Sequence, residues 1–141
     1  AWLRRAGADT TEVKRFFQID PDTFKVRAKA IANASFYDGG IATSICEGEN
    51  QDAQVINAQV ADELLNIKGI RASFVAGVND RGITCISARS LGDINVQVLL
   101  EKIGGGGHLN TAGAQVKEKP EEVLEIVLGL LEKGEKNESN T

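Results

Sequence analysis

The sequence is poor in the residues that build reactive centres. Among 141 residues there are one histidine and two cysteines. A bound catalytic metal needs converging His, Asp or Cys ligands, and one histidine among scattered acids offers no such cluster. Cys46 and Cys85 lie in separate apolar stretches without Cys-x-x-Cys spacing, which argues against a zinc site. They read as buried free thiols in a reducing cytosol. Neither stands on a loop beside a helix start, and no Gly-x-Ser-x-Gly is present, so no nucleophile elbow is visible. Long hydrophobic runs are missing too: nothing approaches the roughly 18 apolar residues of a membrane span. No charged-then-apolar signal segment opens the chain. Excess positive charge is also lacking. The net charge is −4, and residues 117–141, with seven Glu and four Lys, carry −3 of it, leaving the rest near −1. Duplex binding usually needs a dense basic patch, so no long nucleic acid is expected as a partner. A local anion site, which needs only a few donors, is not excluded.

What is present fits one globular domain. The length supports a single sizeable core, with 42% hydrophobic and 26% charged residues. The opening Ala-Trp-Leu-Arg-Arg reads as the interior of a longer protein, so the chain is expected to be a fragment.

Residues 1–19 read as a linker with one short helix, started by the capping-box pattern Asp9-Thr10-Thr11-Glu12. Asp20 as N-cap and Pro21 at the first helical position start the next helix, with Phe24, Ala28 and Ile31 on one face. It is expected to run to about Asn33 or Ser35. A strand is predicted over 41–46. A helix follows over about 52–67, its core stripe formed by Ala53, Ile56, Val60, Leu64 and Ile67. Residues 72–78 and 83–88 are rich in strand formers and flank Asn79-Asp80-Arg81-Gly82, a hairpin turn in which Gly82 takes φ > 0. Apolar residues on both faces of this hairpin predict a sheet covered at least partly on both sides. Asp93 is expected to cap a helix through Ile103, with Val96, Leu99 and Leu100 inward. After a glycine-rich segment, one helical turn is expected over 108–112 and a strand over 113–116. Pro120, Glu121 and Glu122 open a last helix that Gly134 ends. Residues 135–141 read as a disordered tail. The fold class is α/β in the mixed α+β sense: a small mixed β-sheet of about four strands flanked by helices.

The segment around which the chain is organised is Gly104-Gly105-Gly106-Gly107-His108. Gly104 sits where a helix C-terminal glycine belongs, but the run continues three residues further than a stop requires. It is not a Walker A loop, because no Lys-Ser/Thr follows. It is not a dinucleotide fingerprint, because it follows a helix and leads toward a strand. A loop of bare amides can aim several N–H groups at one anion, with His108 as its polar side chain. Arg89, with Ser90 beside it, supplies a guanidinium fork and a hydroxyl suited to phosphate oxygens. A helix over 93–103 would be roughly 16 Å long at about 1.5 Å per residue, which places the loops of Arg89 and His108 at opposite ends unless the strand carrying Arg89 runs alongside.

Gly-Gly-Gly-His108 followed by Ala112-Gly113 resembles the signature of the DHH-associated domain, the second domain of the DHH phosphoesterases. Arg89-Ser90 with Asn95-Val96 resembles the Arg-Ser element upstream of that signature. The stretch 86–96, with residues 2–9, looks most like the membrane-anchored GdpP/YybT-type cyclic-di-AMP phosphodiesterases. The resemblance spans about residues 20–133 and implies a substrate-binding domain over 20–134. It implies that Gly105, Gly106, Gly107 and His108 contact phosphate, helped by Arg89 and Ser90. It further implies a preceding DHH domain in cis that holds two Mn²⁺ ions, with no metal and no catalytic residue in this chain. The substrate would be a cyclic dinucleotide, cyclic-di-AMP hydrolysed to pApA, or another short nucleotide. The setting would be cytoplasmic, on the cytoplasmic side of the membrane for a GdpP/YybT-like parent. Thr111 departs from the commonest family pattern, in which a small apolar residue stands there. The alternatives are the associated domain of a DHH exonuclease or oligoribonucleotide phosphatase, a nucleic-acid-binding module akin to the end of alanyl-tRNA synthetases, or a dimerisation domain forming a homodimer.

Overall fold

A computed structural model describes residues 20–139, with side chains described through Gly134. The short helix read around residues 9–17 lies outside the described residues. The element order is α1 (Pro21–Ala32), β1 (Ser35–Tyr37), β2 (Ile41–Glu49), α2 (Ala53–Leu65), β3 (Ala72–Val78), β4 (Thr84–Ser90), α3 (Val96–Glu101), β5 (Gly106–His108), β6 (Thr111–Val116) and α4 (Pro120–Ser139). The six strands form one mixed sheet in the order β1-β2-β3-β4-β6-β5. Only β2 and β3 are parallel, and α2 makes the crossover that a parallel pair requires. The other neighbours are antiparallel.

Alternation of side chains divides the core into two layers. One face carries Ile41, Ala72, Phe74, Ala76, Ile86, Ala88, Ala112 and Ala114, packed under α3 and α4 through Val96, Leu99, Leu100, Val123, Leu124 and Val127. The opposite face carries Ala42, Cys46 and Val75 under α1 and α2, with Ala30, Ile56, Val60, Ala61 and Leu64. The central strands are thus covered on both sides, in keeping with the hairpin's two apolar faces. Polar ties fix α2 to the strands beneath it. Asn57 Nδ2 donates to the Cys85 carbonyl at 3.0 Å, and Ser73 Oγ donates to the Ala61 carbonyl at 2.6 Å. The close approach depends on Gly77, where a Cβ would lie 2.7 Å from Asn57 Oδ1.

The β3–β4 turn forms as its residues predict. Asn79 Oδ1 accepts the N–H groups of Arg81 and Ile83, and Gly82 has φ 76°. Asp20 caps α1 by accepting from the Thr23 N–H at 2.9 Å, a bond that lowers its carboxyl pKa below the usual value. Burial raises both thiols, that of Cys46 to about 11.

Several expectations fail in instructive ways. Among the described residues there are six strands rather than about four, because the edge strands β1 and β5 are only three residues long, too short for an alternating pattern to show, and β5 is two-thirds glycine. Phe24 and Ile67 are exposed, and α1 packs through Val26, Ala30 and Ile31. Asn95, not Asp93, caps α3, accepting from the Val98 N–H at 3.2 Å. Asp93 instead pairs with Arg71 at 2.7 Å, and that bond holds its carboxyl below the ordinary range. No helical turn forms over 108–112; those residues make the β5–β6 hairpin. The last helix continues through Gly134 to Ser139.

Candidate functional site

The β5–β6 hairpin decides where His108 lies. Leu109 and Asn110 form its tip, so His108 pairs with Thr111, Gly107 with Ala112 and Gly106 with Gly113. The tip is fastened to the far side of α3: the Ser90 N–H donates to the Asn110 carbonyl and the Val96 N–H to the Leu109 carbonyl, both at 3.0 Å. The helix itself is short, six residues. The chain therefore turns back within a few residues and places His108 two strands from Arg89, with β6 between them.

Register makes this relation definite. Arg89 of β4 pairs with Thr111 of β6, and Thr111 pairs with His108 of β5. Directly paired residues project to the same face. Arg89, Thr111 and His108 therefore form one row across three strands, on the face opposite α3 and α4. The outer strands of that row are about 10 Å apart, two strand spacings. The next row on the same face is Ser87, Gly113 and Gly106. Over β4 this face is closed by α2: Ser87 is 1% exposed, and Gln54 Nε2 donates to its Oγ at 2.8 Å. Beyond β4 only Gly113 meets α2, through Gln54. Thr111 and Gln115 are exposed on this face, whereas Ala112 and Ala114 between them are buried on the other. His108 is exposed, and Arg89 is partly covered.

The sequence-predicted residues divide sharply. Arg89, Gly106, Gly107 and His108 lie at the open face or its edge. Ser90 does not join them: one residue further along β4 it turns to the opposite face, 4% exposed. Its Oγ donates to the Ile94 carbonyl at 2.7 Å and accepts from the Gly92 N–H, so it organises the loop into α3. Gly105 stands apart as well. Its N–H donates to the Leu100 carbonyl at 2.8 Å, closing the end of α3. A Cβ there would meet Ala114 Cβ at 2.5 Å and the Gly113 carbonyl. Gly104, with φ 91°, is the helix stop that its position predicts. Gly107 is needed by the backbone, with φ 148° and β6 too close to admit a Cβ. Gly106 differs from all of these. Its φ is not in the left-handed region, and a Cβ there would have nothing within 4 Å.

Two side chains beside this row escape a reading of motifs. Gln54 and Asp62 occupy one edge of α2, eight residues apart, and both reach β4: Gln54 to Ser87, and Asp62 Oδ1 to Arg89 Nε at 3.0 Å. No motif marks either residue; the packing of α2 over β4 gives both their place. Among the described residues no group of three or more His, Cys, Asp or Glu is placed to hold a metal ion. None of the described helices is long and apolar enough to cross a membrane. A separate cavity of about 710 Å³, lined by Lys25, Tyr37, Ile45 and Leu128 among others, lies at the β1–β2 edge, away from this row.

Residues 38–133 match the DHHA1 domain family. The chain belongs to that family. It is 42% identical over 118 residues to the cyclic-di-AMP phosphodiesterase PdeA of Listeria monocytogenes serotype 1/2a (strain 10403S), covering 84% of this chain and 18% of that protein. It is 44% identical over 120 residues to the cyclic-di-AMP phosphodiesterase GdpP of Geobacillus thermodenitrificans (strain NG80-2), again covering 84% of this chain and 18% of the relative. The chain thus spans about a fifth of the length of these curated relatives. Among solved structures, an exopolyphosphatase-related protein from Bacteroides fragilis superposes with a TM-score of 0.72 at 22% identity, over 89% of this chain and 38% of that one. That likeness concerns the fold. The DHHA1 match supports the resemblance read from the glycine–histidine segment.

Proposed function

We propose that this DHHA1 domain is the substrate-binding part of a metal-dependent phosphodiesterase that hydrolyses cyclic-di-AMP to pApA. It would act with a preceding DHH domain that holds the metals, expected to be two Mn²⁺, and activates the attacking water. The observation that carries the reading is the row Arg89–Thr111–His108 on an exposed stretch of the sheet, in a domain closely similar to those of cyclic-di-AMP phosphodiesterases. A guanidinium binds two oxygens of one phosphate, an imidazole N–H donates to a third, and the Thr111 hydroxyl lies between them. Fixed donors of this kind stabilise charge that develops on non-bridging oxygens. Gly106 and Gly107 form an edge strand with no side chains to hold a ligand off the backbone. In this reading Ser90 and Gly105 position the site without touching substrate. The closing of the two domains would orient the nucleotide and exclude water. The setting is cytoplasmic, and no long nucleic acid is a partner.

The test is hydrolysis by the protein with its DHH domain, wild type against His108→Ala. Loss of one such donor is expected to lower kcat by about 10²–10³-fold while the folding midpoint stays unchanged. Unchanged hydrolysis in the variant would overturn the assignment. Faster turnover of short RNA than of cyclic-di-AMP would move the protein to the oligoribonucleotide-hydrolysing branch.

A further inference from the structure

Arg89 is held from two sides. Its Nε donates to Asp62 Oδ1 of α2 at 3.0 Å, and its Nη1 donates to the Ala88 carbonyl of its own strand at 2.9 Å. Arginine has five N–H donors in a planar fork. These two bonds leave one N–H on Nη1 and two on Nη2, the pair of nitrogens suited to two oxygens of one phosphate. Free arginine side chains lose considerable rotamer freedom when they bind, so a guanidinium fixed in advance binds more tightly than a mobile one. Asp62 is itself well located. It lies two turns along α2 from Gln54, whose amide donates to the Ile86 carbonyl and to Ser87 Oγ. The pair is asymmetric in exposure, with 17% of the Arg89 side chain accessible against 63% of Asp62. The carboxylate therefore sits at the rim and the guanidinium behind it.

We propose that Asp62 is the positioning residue for Arg89, holding its Nε so that the terminal nitrogens are presented to the phosphate of a bound nucleotide. The proposal rests on the reading that Arg89 contacts phosphate. It makes a demand that charge alone does not. A carboxylate beside an anion site repels the anion, so removing it should tighten binding if Asp62 did nothing else. Water and salt screen that repulsion at an exposed rim, whereas the orientation of Arg89 depends on the acceptor atom.

The experiment compares Asp62→Ala, Asp62→Asn, Arg89→Ala and the double variant in the protein with its DHH domain, measuring KM and kcat for cyclic-di-AMP. Asp62→Ala is expected to lower kcat/KM about tenfold through misorientation. Asp62→Asn, which keeps an acceptor and removes the charge, should stay within about threefold of wild type. On the Arg89→Ala background, Asp62→Ala should have no further effect, because the two act as one unit. Equal or improved kcat/KM in Asp62→Ala would overturn the proposal, as would a full loss that persists without Arg89 or an equal loss in Asp62→Asn. If Arg89→Ala itself has wild-type kinetics, the phosphate reading fails. If Arg89→Ala is impaired and Asp62→Ala is not, only the positioning role fails.

Discussion

The two faces of the β4–β6–β5 sheet are made by alternate residues of the same strands, yet they serve opposite ends. Ala88, Ala112 and Ala114 lie under α3 and α4 in the apolar core. Arg89, Thr111 and Gly113 stand between or beside them on the other face, where α2 lies over β4 and reaches Gly113 through Gln54, while Thr111 and Gln115 are exposed. Arg89 and Ser90 are consecutive, but one faces the open row and the other is buried in the loop scaffold. The difference teaches that a motif in a strand divides by parity. Half of its residues can meet a ligand, and the other half hold the strand in place. The same division runs through the glycines: Gly105 and Gly107 admit β6 at close quarters, while Gly106 meets nothing.

The strongest way to sharpen this comparison is to damage the core face alone. Phe74 is fully buried beneath α3 and α4. Phe74→Ala is expected to destabilise the fold by about 3–5 kcal/mol, a transfer term plus a cavity term. Equilibrium unfolding in urea measures it, and a loss below about 1 kcal/mol would show that this face is not the main core. The glycines give the next contrast. Gly107→Ala places a Cβ against Thr111 and Ala112 backbone at a positive φ and should cost about 1–3 kcal/mol. Gly106→Ala, in open space, should stay within about 0.5 kcal/mol of wild type. Equal losses at the two positions would break the distinction between a packing glycine and a bare one.

Much of the core on both faces of the central strands was legible in the sequence. The strand Ala72–Val78 has the bounds that its strand formers and the Asn79–Gly82 turn predict. The stripe Ala53, Ile56, Val60 and Leu64 is buried as its helical period requires. The open face was legible only as a list of residues. Arg89 and His108 could be named from chemistry, but their adjacency depends on β5, three residues of which two are glycine. Glycine has poor strand propensity, so this strand exists through its pairing with β6 rather than through its own residues. The separation along helix 93–103 that stood against a shared site vanished because α3 is only six residues long and the hairpin returns beside β4. Ser90 parts from Arg89 for a related reason: the two are neighbours in sequence, but strand alternation turns them to opposite faces. Asp62 carries no motif, and no local pattern marks it. Its part follows from where α2 rests on the sheet.

The central claim, that parity separates ligand-facing residues from packing residues, is tested most directly on Arg89 and Ser90. The measurement pairs kcat/KM for cyclic-di-AMP with the unfolding midpoint for Arg89→Ala and Ser90→Ala in the protein with its DHH domain. Arg89→Ala should lose about 10²-fold or more in kcat/KM, in keeping with removal of a phosphate donor. Its unfolding midpoint should move little. Ser90→Ala should lose about 1–3 kcal/mol of stability, the cost of leaving buried partners unsatisfied. The folded Ser90 variant should keep a kcat/KM close to wild type. The opposite pattern, with Ser90 needed for turnover and Arg89 only for stability, would contradict the account.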